Sequence, residues 1–224
     1  MTQVALLPMK ANSERVRGKN FRDLAGKPLF RWMLDSLLSL ESIDKVVVNT
    51  DARAILRENG LEESDRVMVR DRHEALQGDM VSMNRIIEDD IAAVPADLYL
   101  MTHTTNPLLS AATARDAMNQ FLAASERYDS LFTVNRIQTR FYREDGSAVN
   151  HDPNVLLRTQ DLEPWLEENS CLYLFTRESF ARTGARIGAA PMMYETPKLE
   201  SVDIDEPEDW IMAEALARYG LEQH

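Results

Sequence analysis

The chain has 224 residues, 44% of them hydrophobic and 28% charged, which allows one buried core and is far from a disordered composition. Its net charge of −12 argues against a nucleic-acid polymer as partner. A single cysteine, Cys171, excludes an intrachain disulfide and a multi-cysteine zinc site, and no stretch approaches the roughly 18 apolar residues of a spanning helix, so a soluble cytoplasmic protein with no membrane partner is expected.

In chain order, residues 3–8 read as a buried strand, followed by a long polar loop over 10–27 interrupted by Gly18 and Gly26. Residues 29–40 carry Leu29, Trp32, Met33 and Leu37 at helical spacing. Residues 45–49 hold the apolar run Val46-Val47-Val48, a short buried strand, and Asp51 is placed to cap a helix through about residue 59. Residues 66–70, 98–102 and 130–135 read as further strands, with helices over 81–93 and 111–124 between them. Strands alternating with helices predict an α/β fold: a mainly parallel sheet with helices on both faces, whose ligands bind at the carboxyl ends of the strands.

The alternation breaks over 136–168, a polar stretch too long for an ordinary connection, which reads as an inserted arm or lid within a single domain. Regular structure resumes with a strand at 171–176, and Met192-Met193 reads as strand packing. A short strand is expected at 201–205. Asp205 then caps a C-terminal helix in a capping box with Glu208, and Trp210, Ala213, Leu216 and Ala217 form its buried stripe.

Charge is unevenly distributed. Residues 10–31 carry a net +5 and the remainder −17, while residues 200–214 hold seven acids and no base. A basic and an acidic segment in one small domain can form one site for an anion and its cation, or two stretches of solvated surface. The basic loop over 8–20 leaves the first strand as phosphate-binding loops do, yet it lacks the Walker pattern: Gly18-Lys19 is followed by Asn20, and Ser13 stands where the earlier glycine belongs. In Asp203-Ile204-Asp205 a strand would point both carboxylates to one side, a pattern that suits magnesium; helix capping and ordinary surface explain the same residues. The four histidines show no metal-ligand spacing, so a bound metal should have oxygen ligands.

Taken in order, these segments resemble the acylneuraminate and related acidic-sugar cytidylyltransferases. Pro8, Ser13, Arg15, Lys19 and Asn20 match that family's opening Pro-Ala-Arg-x-x-Ser-x-Arg and the Lys-Asn beyond it, with Lys10 in place of the first arginine. Gly26-Lys27-Pro28-Leu29 follows as in the family. Arg72, Leu76 and Asp79 fit Arg-Pro-x-x-Leu-Ala-x-Asp, with His73 and Gln77 substituted. Asn106-Pro107-Leu108 sits where the family has Gln-Pro-Thr-Ser-Pro-Leu, with His103 replacing the glutamine. Glu168-Asn169-Ser170-Cys171-Leu172-Tyr173 resembles Glu-Asn-Gly-x-x-Tyr, and the stretch from Glu200 to Asp205 resembles the closing metal motif.

The resemblance implies a nucleotidyltransferase fold of the glycosyltransferase-A type, usually a homodimer, with residues 136–168 as the dimerisation arm. The implied reaction joins CMP from CTP to an acidic sugar such as an N-acylneuraminate and releases pyrophosphate. Lys10, Arg15 and Lys19 would bind the triphosphate and stabilise the leaving group. Ala11, Asn12, Ser13 and Asn20 would complete the nucleotide loop, with Asp79 also binding the nucleotide, and Arg72 and Ser82 would meet the cytosine or ribose. His103, Asn169 and Tyr173 fall on the acceptor side, with Arg140, Arg143 and Arg158 available for a carboxylate. Asp203 and Asp205 would hold Mg2+. A ketodeoxyoctonate or a pseudaminic- or legionaminic-type acid, or a non-catalytic nucleotide-binding protein on the same fold, stays open.

Overall fold

A computed structural model describes residues 1–11, 16, 18–78 and 80–222. Among these, seven strands form one sheet: β1 (Gln3–Leu6), β4 (Lys45–Thr50), β5 (Val67–Asp71), β6 (Leu98–Met101), β7 (Ser130–Ile137), β8 (Trp165–Thr176) and β9 (Pro191–Glu195). A small antiparallel pair, β2 (Asp23–Leu24) and β3 (Lys27–Pro28), stands apart. The order across the sheet is β5-β4-β1-β6-β8-β7-β9, and only β8 runs antiparallel to its neighbours. The expected mainly parallel α/β sheet is therefore observed.

Its central strands, β1, β4 and β6, bury both faces, as crossover helices require. Side-chain alternation sends Val46, Val48, Leu98, Leu100, Leu172 and Leu174 to one core and Val47, Tyr99, Met101, Tyr173 and Phe175 to the other. Helices α1 (Leu29–Leu38) and α4 (Ala111–Ala123) cover the first face through Phe30, Met33, Leu34, Leu37, Met118 and Phe121. On the second face α3 (Met83–Ala93) packs through Ile87 and Ile91, and α5 (Arg177–Thr183) through Phe180. The short α2 (Arg53–Glu58) adds Leu56 to the first core. Each such buried aliphatic or aromatic side chain stabilises the fold by roughly 1.5–3 kcal/mol. The C-terminal α6 (Pro207–Glu222) brings Trp210 and Ala213 against Leu24, Leu29 and Ile204, which buries Trp210 as its helical stripe predicts. No helix among the described residues is long and apolar enough to cross a membrane.

Four expectations need correction. The strands β7 and β8 extend through Ile137 and back to Trp165, pairing Val134 with Glu168 and Ile137 with Trp165, so the excursion from the sheet covers 138–164 rather than 136–168. Residues 165–168 are exposed on both faces, and their strand is made by a distant partner. Residues 201–205 form no strand; Ile204 donates its backbone N–H to the Thr105 carbonyl of a loop. Asp51 does not cap α2, whose N-cap is Ala52 without a side-chain bond; Asp51 Oδ1 accepts from the Ala11 N–H at 2.6 Å. The helix α6 starts at Pro207, one residue late for an Asp205–Glu208 box. Asp209 instead reaches back to the N–H groups of Glu206 at 2.7 Å and Asp205 at 3.0 Å.

Candidate active site

The carboxyl ends of β1, β4, β5 and β6 converge on one crevice, where ligands of open α/β sheets bind. On its β1 side Met9 bridges to Thr50 and Lys10 follows. Gly18, at φ 61°, makes the left-handed step into a 3-10 turn, Lys19–Phe21. Asn20, 8% exposed, donates to the Lys10 carbonyl at 2.8 Å and accepts from Thr104 Oγ1 at 2.7 Å, tying the loop to the end of β6. Asn12, Ser13, Arg15 and Asp79 lie outside the described residues.

Arg72, also buried, donates to Asn49 Oδ1 at 2.8 Å, to the Asn49 carbonyl at 2.9 Å and to the Met9 carbonyl at 3.2 Å. Burial lowers its pKa, opposed by the charges of Asp51 and Asp90. Asn49 in turn donates to Asp90 Oδ1 at 2.8 Å, which Arg70 also contacts. Burial pushes the Asp90 carboxyl up to about 6 against the pull of Asn49 and Arg70, and its Oδ2 has no hydrogen-bond partner. Arg72 and Asn20 are thus struts that shape the loop's backbone. Ser82 is exposed and caps α3 through the Asn84 N–H.

The acidic loop meets this floor through Lys19. The ammonium donates to the Ile204 carbonyl at 2.6 Å and lies 3.4 Å from Asp205 Oδ1. Ile204 is wholly buried beside Trp210, so the two aspartates flank an anchored residue even without a strand. Burial raises the Asp203 pKa, helped by Asp205 and Asp209 and opposed by Thr105 and Lys19. Asp203 Oδ1 is buried without a hydrogen-bond partner. Among the described residues no three acids, histidines or cysteines form a metal-binding group. A hard divalent cation held by two carboxylates would therefore rely on phosphate oxygens and water for its other ligands, as magnesium commonly does.

Beyond Lys19 lies His103. Burial, then the charges of Arg186 and Lys19, push its pKa down to about 3 against the pull of Asp205, so the ring is neutral at pH 7. Tyr173 is completely buried; its hydroxyl donates to Glu168, and the Arg186 guanidinium covers its ring at 3.8 Å from the centroid. Asn169 sits in a bulge where β8 departs from β7. Its amide donates to Thr196 Oγ1 at 2.6 Å and Asn135 Oδ1 at 3.0 Å, and its Oδ1 accepts from the Cys171 N–H. Ser170 stands there at φ 58°, in the left-handed region.

The arm arginines make their contacts inside the arm. Arg140 donates to the Leu157 carbonyl, Arg143 pairs through its backbone with Ser147, and Arg158 pairs with Asp161 at 2.7 Å. The guanidinium that touches the His103–Tyr173 cluster belongs to Arg186, which sequence reasoning missed. It lies in the connection between α5 and β9, where neither spacing nor charge run distinguishes it from Arg177 or Arg182.

A family model described as Cytidylyltransferase matches residues 4–218. The chain belongs to the cytidylyltransferase family. It is 22% identical to a pseudaminic acid cytidylyltransferase of Campylobacter jejuni, with 99% of both chains covered. It is 30% identical to N-acylneuraminate cytidylyltransferase B of Danio rerio over 97% of this chain, which spans 52% of that protein. Among solved structures, a CMP:2-keto-3-deoxy-manno-octonic acid synthetase complexed with CTP superposes at a TM-score of 0.67 with 15% identity, covering 98% of this chain and all of the other. A 4-diphosphocytidyl-2C-methyl-D-erythritol synthase from Anaerococcus prevotii also reaches 0.67, at 12% identity over 97% and 96% of the two chains. The nucleotidyltransferase-type fold expected from the sequence is thus shared with both.

Proposed function

We propose that this chain transfers the CMP group of CTP to a hydroxyl of an acidic sugar and releases pyrophosphate. The observation that carries the reading is the Asp203-Ile204-Asp205 loop, held by Lys19 at the crevice mouth with a buried carboxylate oxygen of Asp203 unpartnered. Relatives named for pseudaminic and N-acylneuraminic acids support the acceptor class. The acceptor hydroxyl gives up its proton to solvent, its oxygen forms a bond to the α-phosphorus, the bond to the bridging oxygen breaks, and pyrophosphate departs with that electron pair. Lys10 and Lys19 place positive charge along the triphosphate. Asn20 and Arg72 hold the loop backbone in shape. Asp203 and Asp205 would hold magnesium, which offsets triphosphate charge and polarises phosphoryl oxygens. His103, with its pKa near 3, is a poor proton acceptor at neutral pH, so its role is to orient a group by hydrogen bonding.

We read the 138–164 arm as a dimerisation element. Leu156 is 90% exposed, and Tyr142, Leu157, Trp165 and Leu166 add apolar surface on the arm and its base. Light scattering at micromolar concentration should return twice the mass of the chain; a monomer removes this part.

The deciding experiment is pyrophosphate release with each of the four NTPs against a panel of nonulosonic and octulosonic acids, with and without magnesium. CTP with at least one acid should turn over only when magnesium is present. Equal turnover with UTP or ATP overturns the base assignment, and no release with any acid overturns the acceptor class.

A further inference from the structure

We propose that Arg186 binds the carboxylate of the acidic acceptor; this rests on the acceptor class just given and names the residue that recognises it. The first observation is position. Arg186 Nη1 lies 3.5 Å from His103 Nε2, and the same imidazole is within electrostatic reach of Lys19 and Asp205. The guanidinium contacts the ring, and the ring also feels the charges of Lys19 and Asp205 of the aspartate loop, so a sugar with its hydroxyl near the aspartates can extend past His103 to Arg186.

Charge is the second observation. His103 is neutral, and among the described residues Arg186 is the cation in contact with it. Its side chain is 19% exposed, which leaves its field poorly screened while keeping a face accessible. A cavity of 360 Å³ opens beside it, bordered by Ser82, Asn84, Glu168 and Ile187.

Preorganisation is the third. The guanidinium stacks on the buried Tyr173 ring, and Nη2 donates to Tyr173 Oη at 3.0 Å. Glu168 Oε1 stands 3.7 Å from Nη2. Glu168 and Tyr173 are positioning residues for a planar five-donor fork that suits a carboxylate better than a lysine would. The alternative is a purely structural strut joining the α5–β9 connection to the sheet. That connection has its own tie, the Arg186 N–H donating to Asn84 Oδ1 at 3.3 Å, which survives removal of the side chain.

The test compares the wild-type protein with Arg186→Met, which keeps an apolar stem over Tyr173, and with Arg186→Lys. Steady-state KM is measured for CTP, for the acid that turns over, and for its carboxamide analogue, alongside thermal melting. Arg186→Met should raise KM for the acid roughly thirty- to a hundredfold and leave KM for CTP within about twofold. Arg186→Lys should recover part of the loss. The wild type should prefer the acid to the carboxamide, and Arg186→Met should treat the two alike. An unchanged acid preference in Arg186→Met, or equal loss for acid and carboxamide, overturns the assignment while the acceptor class stands. A wild-type protein that accepts the carboxamide as readily as the acid overturns carboxylate recognition itself. Absence of turnover with any acid brings down the acceptor class and this inference together.

Discussion

On the β1–β4–β5 side of the crevice, Asn20, Asn49 and Arg72 turn their polar atoms back onto the protein, whereas on the β6–β8 side Ser82, Glu168 and Arg186 border an open cavity. The first side is a buried hydrogen-bonded frame whose product is a backbone shape. The second presents side-chain chemistry to whatever enters. A ligand common to a whole family can be met by a fixed backbone, while a variable acceptor needs residues that can change without disturbing the frame. Substitutions in the frame should therefore move stability and nucleotide affinity together, and those on the cavity side should move acceptor kinetics alone.

Arg72→Ala is the most severe test. It removes the donor to Asn49 Oδ1 and to the carbonyls of Asn49 and Met9, and should cost about 3 kcal/mol in stability. Urea unfolding measures this. A loss under about 1 kcal/mol with a raised KM for CTP would make Arg72 a ligand contact and break the comparison.

Asp90 sharpens it through pH. Its folded pKa of about 6 lies above the ordinary 3.8, so the folded state holds the proton more tightly. The stabilisation is complete below about pH 4 and disappears as pH rises through about 6, a change on the order of 2–3 kcal/mol. Asp90→Asn should lack this slope. Stability curves that stay parallel for both proteins from pH 4 to 7 would refute the buried-acid account.

Lys19→Ala should lower kcat/KM by roughly a hundredfold, the worth of a charge-assisted contact of about 2–3 kcal/mol, and should lower the melting temperature because the Ile204 carbonyl loses its donor. Wild-type kcat/KM for CTP in this variant would demote the loop to surface. Asp203→Asn should instead leave melting nearly unchanged, since Oδ1 makes no hydrogen bond, while turnover falls by well over roughly tenfold with partial recovery at high magnesium. Full activity would remove Asp203 from the metal site.

The smallest effect belongs to the bulge. Ser170 at φ 58° occupies a conformation that costs a residue with a Cβ roughly 1 kcal/mol, and the family motif has glycine there. Ser170→Gly should raise stability by about that amount, read as a melting-temperature shift of a few degrees. A lower melting temperature would mean that the hydrogen bond between Ser170 Oγ and Tyr173 Oη, at 3.2 Å, outweighs the strain.

The sequence by itself determined the mainly parallel sheet and its covering helices. Val46-Val47-Val48 and residues 98–101 are apolar on both faces, which only a strand covered by helices on both sides can satisfy. It also marked the basic loop and the Asp203–Asp205 pair, because charge runs and motif spacing are local properties. Tertiary structure alone decided the rest. Residues 165–168 become strand by pairing with 134–137, and Asp51 leaves its helix to hold the Ala11 N–H. Asn20 and Arg72 come to bond the backbone of the loop, and Arg186 comes to rest on Tyr173. Each of these outcomes depends on a partner distant in the chain, and neither composition nor periodicity records which distant residues will meet.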